Sequence, residues 1–567
     1  MMRRLLVAMV AVAIMALVVL QTAMALPIVA ATPGGDASAW LATVLDPGSA
    51  FPPATASGVP VLLAEGWAPI VNVSDNPGSS GSPVLGVDSA GVVHAAWYDN
   101  NPGNWEILYA THAPTGTWSF PENVSANASY SLVPAMVIEH NDSVDIVWQD
   151  YGGPSRLAWQ GTLENKSRLA GQDFEPPLLI SATTGFGGYP EVRDASLAVD
   201  SHNTVHLVWA GNTAGGYRIL YSQKAADGRW SFPSVVNPGD GSAFHPHLTI
   251  DSADVLYLVW EETVAANTQS DIYYSSQRPD GTWAPALNVS QNPGQSQEAW
   301  LLADVDRTLH LVWRDYTPDP AQAEILYATK PLGGDWGAAT NVSNSPGDSA
   351  GPRLVEDAAR TLHLVWYDNT PNNWEILYAS KPQDGSWTSG VNVSNSPGRS
   401  GQPSLIYDPK GKLHLAWADD SAGQFEMFYT SKEVPVFGTS YKLAPAAALA
   451  GQDLAYRLIL RNPSGAPVTL FVTDSAPIET VYVDGSAQAS AGSVTVAGSE
   501  VRWTGVVPAR GQVEVRFLAT VLADTPVGTV VRNRASISDA AGTSIDVEAS
   551  TRIYLTRMVA PLIVSSF

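Results

Sequence analysis

Along residues 63–432 short apolar runs alternate with turns that carry Gly, Asn and Asp, and one phrase recurs among them. It reads His94-Ala-Ala-Trp97-Tyr-Asp99, Asp145-Ile-Val-Trp148-Gln-Asp150, His206-Leu-Val-Trp209, Tyr257-Leu-Val-Trp260, His310-Leu-Val-Trp313-Arg-Asp315, His363-Leu-Val-Trp366-Tyr-Asp368 and His414-Leu-Ala-Trp417-Ala-Asp419. Successive tryptophans lie 51, 61, 51, 53, 53 and 51 residues apart, near the ~40–50-residue period of four-stranded propeller blades. The long interval marks an insertion. Before each phrase stands a run such as Pro83-Val-Leu-Gly-Val-Asp88, closed by Asp88-Ser-Ala-Gly91, whose Asp and Gly suit a hairpin turn. A third run follows, Glu106-Ile-Leu-Tyr109, with counterparts such as Arg218-Ile-Leu-Tyr221, Glu324-Ile-Leu-Tyr327 and Glu426-Met-Phe-Tyr429. A fourth comes after a turn, as Asp280-Gly-Thr-Trp283 precedes Asn288-Val-Ser290. Four short strands rich in β-branched and aromatic residues predict one antiparallel blade. Seven units predict an all-β, seven-bladed β-propeller.

The ends of the array predict how it closes. The seventh unit has its first three runs up to Tyr429 but no Asp-Gly-x-Trp beyond them, whereas Trp67 and Asn72-Val-Ser74 precede the first unit. Their five-residue offset matches Trp118 to Asn123 and Trp283 to Asn288. An N-terminal strand therefore completes the last blade and removes the open edges that invite aggregation.

The turn before the fourth strand reads Ser276-Gln-Arg-Pro-Asp280-Gly-Thr-Trp283, Ser222-Gln-Lys-Ala-Ala-Asp227-Gly-Arg-Trp230 and Ser380-Lys-Pro-Gln-Asp384-Gly-Ser-Trp387. It resembles a degenerate Asp-box, the turn motif of sialidase-like (BNR-type) propellers, over residues 63–432. The early Asp of the family's Ser-x-Asp-x-Gly-x-Thr-Trp pattern is absent. The resemblance implies the fold, with the boxes as turn-stabilising features away from the active site, and does not carry the activity.

After Lys432 the phrase stops. Alternating stretches such as Leu454-Ala-Tyr-Arg-Leu-Ile-Leu460 and Val513-Glu-Val-Arg-Phe-Leu518 predict an immunoglobulin-like β-sandwich over 433–552. The order Gly451-Gln-Asp-Leu-Ala-Tyr456, Asn462-Pro-Ser-Gly465, Trp503, Pro508-Ala-Arg-Gly511 and Arg532-Asn-Arg-Ala-Ser536 resembles a conserved-repeat module of unknown function in bacterial surface proteins. That resemblance implies a spacer or adhesive element in a cell-surface or extracellular setting. The apolar tail, 553–567, is expected to dock on the sandwich or to serve as a sorting signal.

Arg3 and Arg4, the apolar run Leu5–Leu20 and Ala23-Met24-Ala25 predict a signal peptide over 1–25, followed by a linker over 26–62. A secreted or cell-surface location follows, without membrane insertion once the signal is cleaved. The chain has 567 residues and no cysteine, so neither disulfides nor thiolate metal sites arise. Its formal charge of −24 argues against nucleic acid and anionic lipid as partners.

The repeated tryptophans admit two readings, sugar stacking or burial between blades, and the mid-strand position favours burial. The strand-start histidines are expected to bond adjacent turns, and the Asn of Asn-Val-Ser to serve its turn rather than act as a glycosylation site. Function is then expected where repeats differ, in the loops from each fourth strand to the next first strand. Their distinctive side chains are His245, His247, Glu298, Trp300, Arg353 and Arg399, with Tyr189 and Arg193 in the insertion. No calcium loop, His-Glu-x-x-His, phosphate-binding glycine loop or Gly-x-Ser-x-Gly elbow occurs, and no cofactor is expected. The expectation is a non-enzymatic binding protein whose rim loops take a glycan or a surface protein. The alternatives are a purely structural surface protein and a sialidase-like glycoside hydrolase. The hydrolase needs three converging arginines for a carboxylate, a Tyr assisted by Glu, and an acid Asp.

Overall fold

The computed structural model describes residues 66–554 apart from short internal stretches, the longest being 152–161 and 181–191. The expected signal peptide, the linker, Tyr189 and the tail beyond residue 554 lie outside the described residues. All regular structure among the described residues is β-strand.

Each repeat unit makes one four-stranded antiparallel sheet. We number these sheets I to VII by their first strands: Ser80–Val87, Ser131–Ile138, Val192–Val199, Ser242–Ile250, Ser296–Ala303, Ser349–Glu356 and Ser400–Tyr407. The first strands contact one another in cyclic order, with sheet VII returning to sheet I. The arrangement is propeller-like. The fourth strand of sheet VII is Val71–Asn72, which precedes sheet I in the chain and pairs antiparallel with Glu426–Glu433, Val71 opposite Tyr429.

The repeated residues build this frame. Trp97, Trp148, Trp209, Trp260, Trp313, Trp366 and Trp417 are at most 1% exposed, so none offers a face to a sugar. Each fills the seam with the preceding sheet, as Trp148 does among Ala96, Ile107 and Tyr109, and Trp366 among Val312, Ile325 and Tyr327. In four units the acid two residues on meets the indole, and Asp315 accepts from Trp313 Nε1 at 2.7 Å, Ser296 Oγ at 2.8 Å, Asn292 Nδ2 at 2.6 Å and the Thr317 amide at 2.7 Å. The histidines brace turns. His363 meets Tyr378 Oη at 2.8 Å through Nδ1 and Asp357 Oδ2 at 3.0 Å through Nε2, while Asp357 Oδ1 accepts the Thr361 amide of its own turn. In sheet IV Tyr257 replaces the histidine and donates to Asp251 directly at 2.8 Å. The Asn of Asn-Val-Ser likewise serves its turn, as Asn341 Oδ1 accepts the Asn344 amide at 2.9 Å.

Beyond the seventh sheet the chain forms two further sheets. One holds Tyr441–Leu443, Asp453–Asn462, Gly511–Val521, Thr480–Tyr482 and Gln488–Ala489. The other holds Ala447–Leu449, Ser544–Tyr554, Val530–Asp539, Val468–Ser475, Glu500–Val507 and Ser493–Ala497. Alternate residues point inward, so Leu458, Leu460 and Val515 meet Leu470, Val472, Trp503 and Ile537 in one core.

Candidate functional site

Every first strand is broken at one place. Its ladder with the second strand slips between Gly81 and Val84, Leu132 and Ala135, Arg193 and Ser196, Phe244 and His247, Gln297 and Trp300, Ala350 and Arg353, and Gly401 and Ser404. The first residue of each bulge has a left-handed φ: Ser82 45°, Val133 49°, Asp194 57°, His245 45°, Glu298 53°, Gly351 58° and Gln402 53°. All but Gly351 pay for this backbone, on the order of 1–3 kcal/mol each, and strain of this kind persists only where surrounding structure enforces it. Hydrogen bonds between neighbouring sheets do so. The Ser82 amide donates to Gln402 Oε1 at 2.8 Å, the His245 amide to Asp194 Oδ2 at 3.2 Å, and the Gly351 amide to Glu298 Oε2 at 2.7 Å. At the bulges the side chains of Gln402, Asp194 and Glu298 thus reach the bulge backbone of a neighbouring sheet.

On sheets IV to VI this ring carries charge. The Glu298 amide donates to Glu261 Oε1 at 2.5 Å, and the same oxygen lies 3.0 Å from His245 Nδ1. Glu298 Oε1 is 3.5 Å from Arg314 Nη1, and Arg314 Nη2 donates to Tyr316 Oη at 2.6 Å. Two residues past the bulge, Arg353 stacks 4.6 Å over the Trp300 ring, whose other close neighbour is His247 with ring centroids 3.7 Å apart. Trp300 Nε1 donates to the Leu354 carbonyl. Trp300 is therefore a support for Arg353 and His247, not a free stacking platform. Tyr367 closes the group: its ring crosses the place where a side chain on Gly351 would stand. Arg353 has no carboxylate within ion-pair distance among the described residues.

The two histidines are held in opposite states. Burial disfavours a charge on His245, but Asp194, Glu261 and Glu298 outweigh it and push its pKa up to about 10. Burial, helped by the Arg353 charge, pushes His247 down to about 3. His247 Nδ1 accepts the Leu301 amide at 3.2 Å, so its neutral ring presents an Nε2 donor. Burial and then the Glu298 charge raise the Tyr367 hydroxyl, against Arg314 and Arg353. The site joins a fixed cation, a charged imidazolium, a carboxylate and a phenol in one partly buried cluster.

Of the eight residues expected from sequence, His245, His247, Glu298, Trp300 and Arg353 come together here. They lie within first strands rather than on loop tips. Arg193 stands on sheet III, its guanidinium 5.0 Å from the Tyr217 ring centroid and 6.0 Å from that of Phe244, and adjoins the cluster through Phe244 and Asp194. Arg399 precedes the first strand of sheet VII, bonded to Asp420 at 2.6 Å and stacked on Phe425. Tyr189 lies outside the described residues. Sequence reasoning passed over Glu261, Arg314, Tyr316 and Tyr367. A signal existed: three of them directly follow the repeated Trp, where the phrase varies as Tyr98, Gln149, Ala210, Glu261, Arg314, Tyr367 and Ala418.

No protein-family model and no curated protein sequence matches this chain. Solved structures share its propeller-like all-β fold at low identity. An ulvan lyase of polysaccharide lyase family PL25, also solved bound to -[GlcA(1-4)Rha3S]-, is 13% identical with a TM-score of 0.47, over 63% of this chain and 95% of that one. The polysaccharide lyase Uly1 is 9% identical with a TM-score of 0.42, over 67% and 94%. The α-L-arabinanase of Penicillium chrysogenum, complexed with arabinobiose, is 14% identical with a TM-score of 0.34, over 48% and 90%. These similarities concern the fold. The structures named here are polysaccharide lyases and arabinan-degrading glycosidases, in contrast to the non-enzymatic binding role expected from the sequence.

Proposed function

We propose that the chain is a carbohydrate-active enzyme that cleaves glycosidic bonds in an acidic polysaccharide, with its site at the bulges of sheets IV to VI. The observation that carries this reading is Arg353, a half-buried guanidinium with no ion pair among the described residues, beside Glu298 and Tyr367. A half-buried cation that bonds only the Pro352 carbonyl and makes no direct ion pair among the described residues favours an anionic ligand, and the planar fork suits a carboxylate. Arg314, neutralised by Glu298, fixes that carboxylate rather than binding substrate. Glu298 and Tyr367 are the pair for proton transfer, and charged His245 is the acid nearest them. The strict sialidase set is not required: two arginines converge, and Arg193 and Arg399 stand elsewhere.

We further infer that sheets I to VII are the blades of one closed propeller and that the C-terminal pair of sheets is an immunoglobulin-like spacer. The cyclic contacts of the first strands and the facing inner residues of the two sheets support this. The turn at Asp280, whose carboxylate accepts from Thr282, fits a degenerate Asp-box. Export of the chain completes the reading.

The test is a panel of uronate-bearing and neutral polysaccharides, with products followed by reducing-end release and by the ultraviolet absorbance of an unsaturated uronate. Cleavage of acidic members alone is expected, with absorbance separating elimination from hydrolysis. No cleavage of any acidic member, or equal cleavage of neutral ones, overturns the proposal.

A further inference from the structure

A second reactive cluster lies in the C-terminal pair of sheets, where the proposed glycan chemistry has no use for it. Lys442 stands on Tyr441–Leu443 of one sheet, and its Nζ pairs with Asp474 Oδ2 on Val468–Ser475 of the other. The two side chains are 0% and 2% exposed. Asn533, also 0% exposed, lies on Val530–Asp539. That strand pairs with Val468–Ser475, Asp474 opposite Ala535, so Asn533 falls two residues along on the same inward face. Tyr456 and Phe517 close over the amine, their ring centroids 5.1 and 5.5 Å from Nζ.

Nothing in ordinary packing explains this arrangement. A buried lysine with one carboxylate is costly, and although the Asn533 amide lies close enough to Asp474 to pull its pKa down, neither Nδ2 nor Oδ1 of Asn533 nor Asp474 Oδ1 reaches hydrogen-bond geometry among the described residues. Buried amides are normally satisfied. A nucleophile, a carboxyl and an orphaned amide in a dry aromatic pocket are instead the components of an acyl transfer.

We propose that Lys442 and Asn533 condense into an intramolecular amide bond, with Asp474 as the proton relay. The neutral Nζ attacks Asn533 Cγ while the Asp474 carboxylic acid donates to Oδ1. Asp474 then takes a proton from the attacking nitrogen and passes it to Nδ2, which leaves as ammonia while Oδ1 returns its proton to Asp474 and the carbonyl re-forms. One C–N bond forms, one breaks, and no oxidant or other reactant is needed. The protonation states suit the step: burial pushes Lys442 down to about 8 despite Asp474, and burial raises Asp474 against the pull of Lys442 and Asn533. The new bond ties the two sheets covalently in a chain that has no cysteine for a disulfide.

The test is the intact mass of the purified full-length chain, followed by protease digestion and peptide mapping. The expected result is a mass lower by one ammonia and a branched peptide joining the segments that hold Lys442 and Asn533. Both should be absent from Asn533→Ala and from Asp474→Ala. If those variants fail to fold, the wild-type map alone decides. An unchanged mass in folded protein overturns the proposal. So does loss of water with a Lys442–Asp474 link, or loss of ammonia without a branched peptide.

Discussion

At Gly351 three demands meet in one residue. Its φ is left-handed, its amide holds Glu298 Oε2, and a Cβ there would lie 2.4 Å from Tyr367 Cε1. Gly351→Ala should therefore cost about 2 kcal/mol or more of stability and displace both Glu298 and Tyr367. Denaturant unfolding together with an activity assay checks this, and a variant with native stability and turnover would contradict it. His245 provides a second expectation. Its folded pKa, near 10, lies above the value of about 6.5 it has when unfolded. The stability it contributes is complete below about pH 6.5 and lost as pH rises toward about 10. The difference in unfolding free energy between the chain and His245→Gln should thus be widest in acid and shrink in alkali. A difference that widened with pH would count against the charged imidazolium.

The strands show what a sequence can and cannot reveal. Repetition exposed the frame because the same physics recurs: a seam filled by Trp in all seven units, an acid two residues later that accepts the indole hydrogen of Trp97, Trp260, Trp313 and Trp366, and a His that braces the preceding turn in five. Asp315→Ala should strand donors from Trp313, Ser296, Asn292 and Thr317 in a buried pocket, costing at least about 3 kcal/mol. A loss below about 1 kcal/mol in denaturant unfolding would show the network to be dispensable. The bulges were not legible, because six of the seven left-handed positions carry ordinary residues such as Val133 and Glu298 rather than the glycine that would announce them. Five of the expected residues meet in the proposed cluster, each at a position where the repeat varies. Arg314 and Tyr367 were missed because their position looked like the tail of a structural phrase. Arg399 stands apart from the cluster, and nothing in a charged residue of a variable loop marks its pairing with Asp420.

Across the whole molecule, Val71–Asn72 joins the beginning of the sheet array to its end. A chain starting at residue 76 should leave Glu426–Glu433 as an open edge and aggregate, while one starting at residue 63 should unfold in a single transition with the native midpoint. Light scattering during thermal unfolding separates the two, and equal behaviour would mean that the closing strand adds nothing. At the bulges of sheets IV to VI neighbouring sheets bring a carboxylate, a phenol and a cation together, and the proposed chemistry is placed there. The most direct test of that claim is kcat/KM on a cleaved acidic polysaccharide for Glu298→Gln, Tyr367→Phe, Arg353→Ala and Arg399→Ala. The first three should each fall by about 100-fold or more, with Arg399→Ala near the parent. A loss at Arg399 equal to theirs, or full activity without Arg353, would contradict a site built on sheets IV to VI.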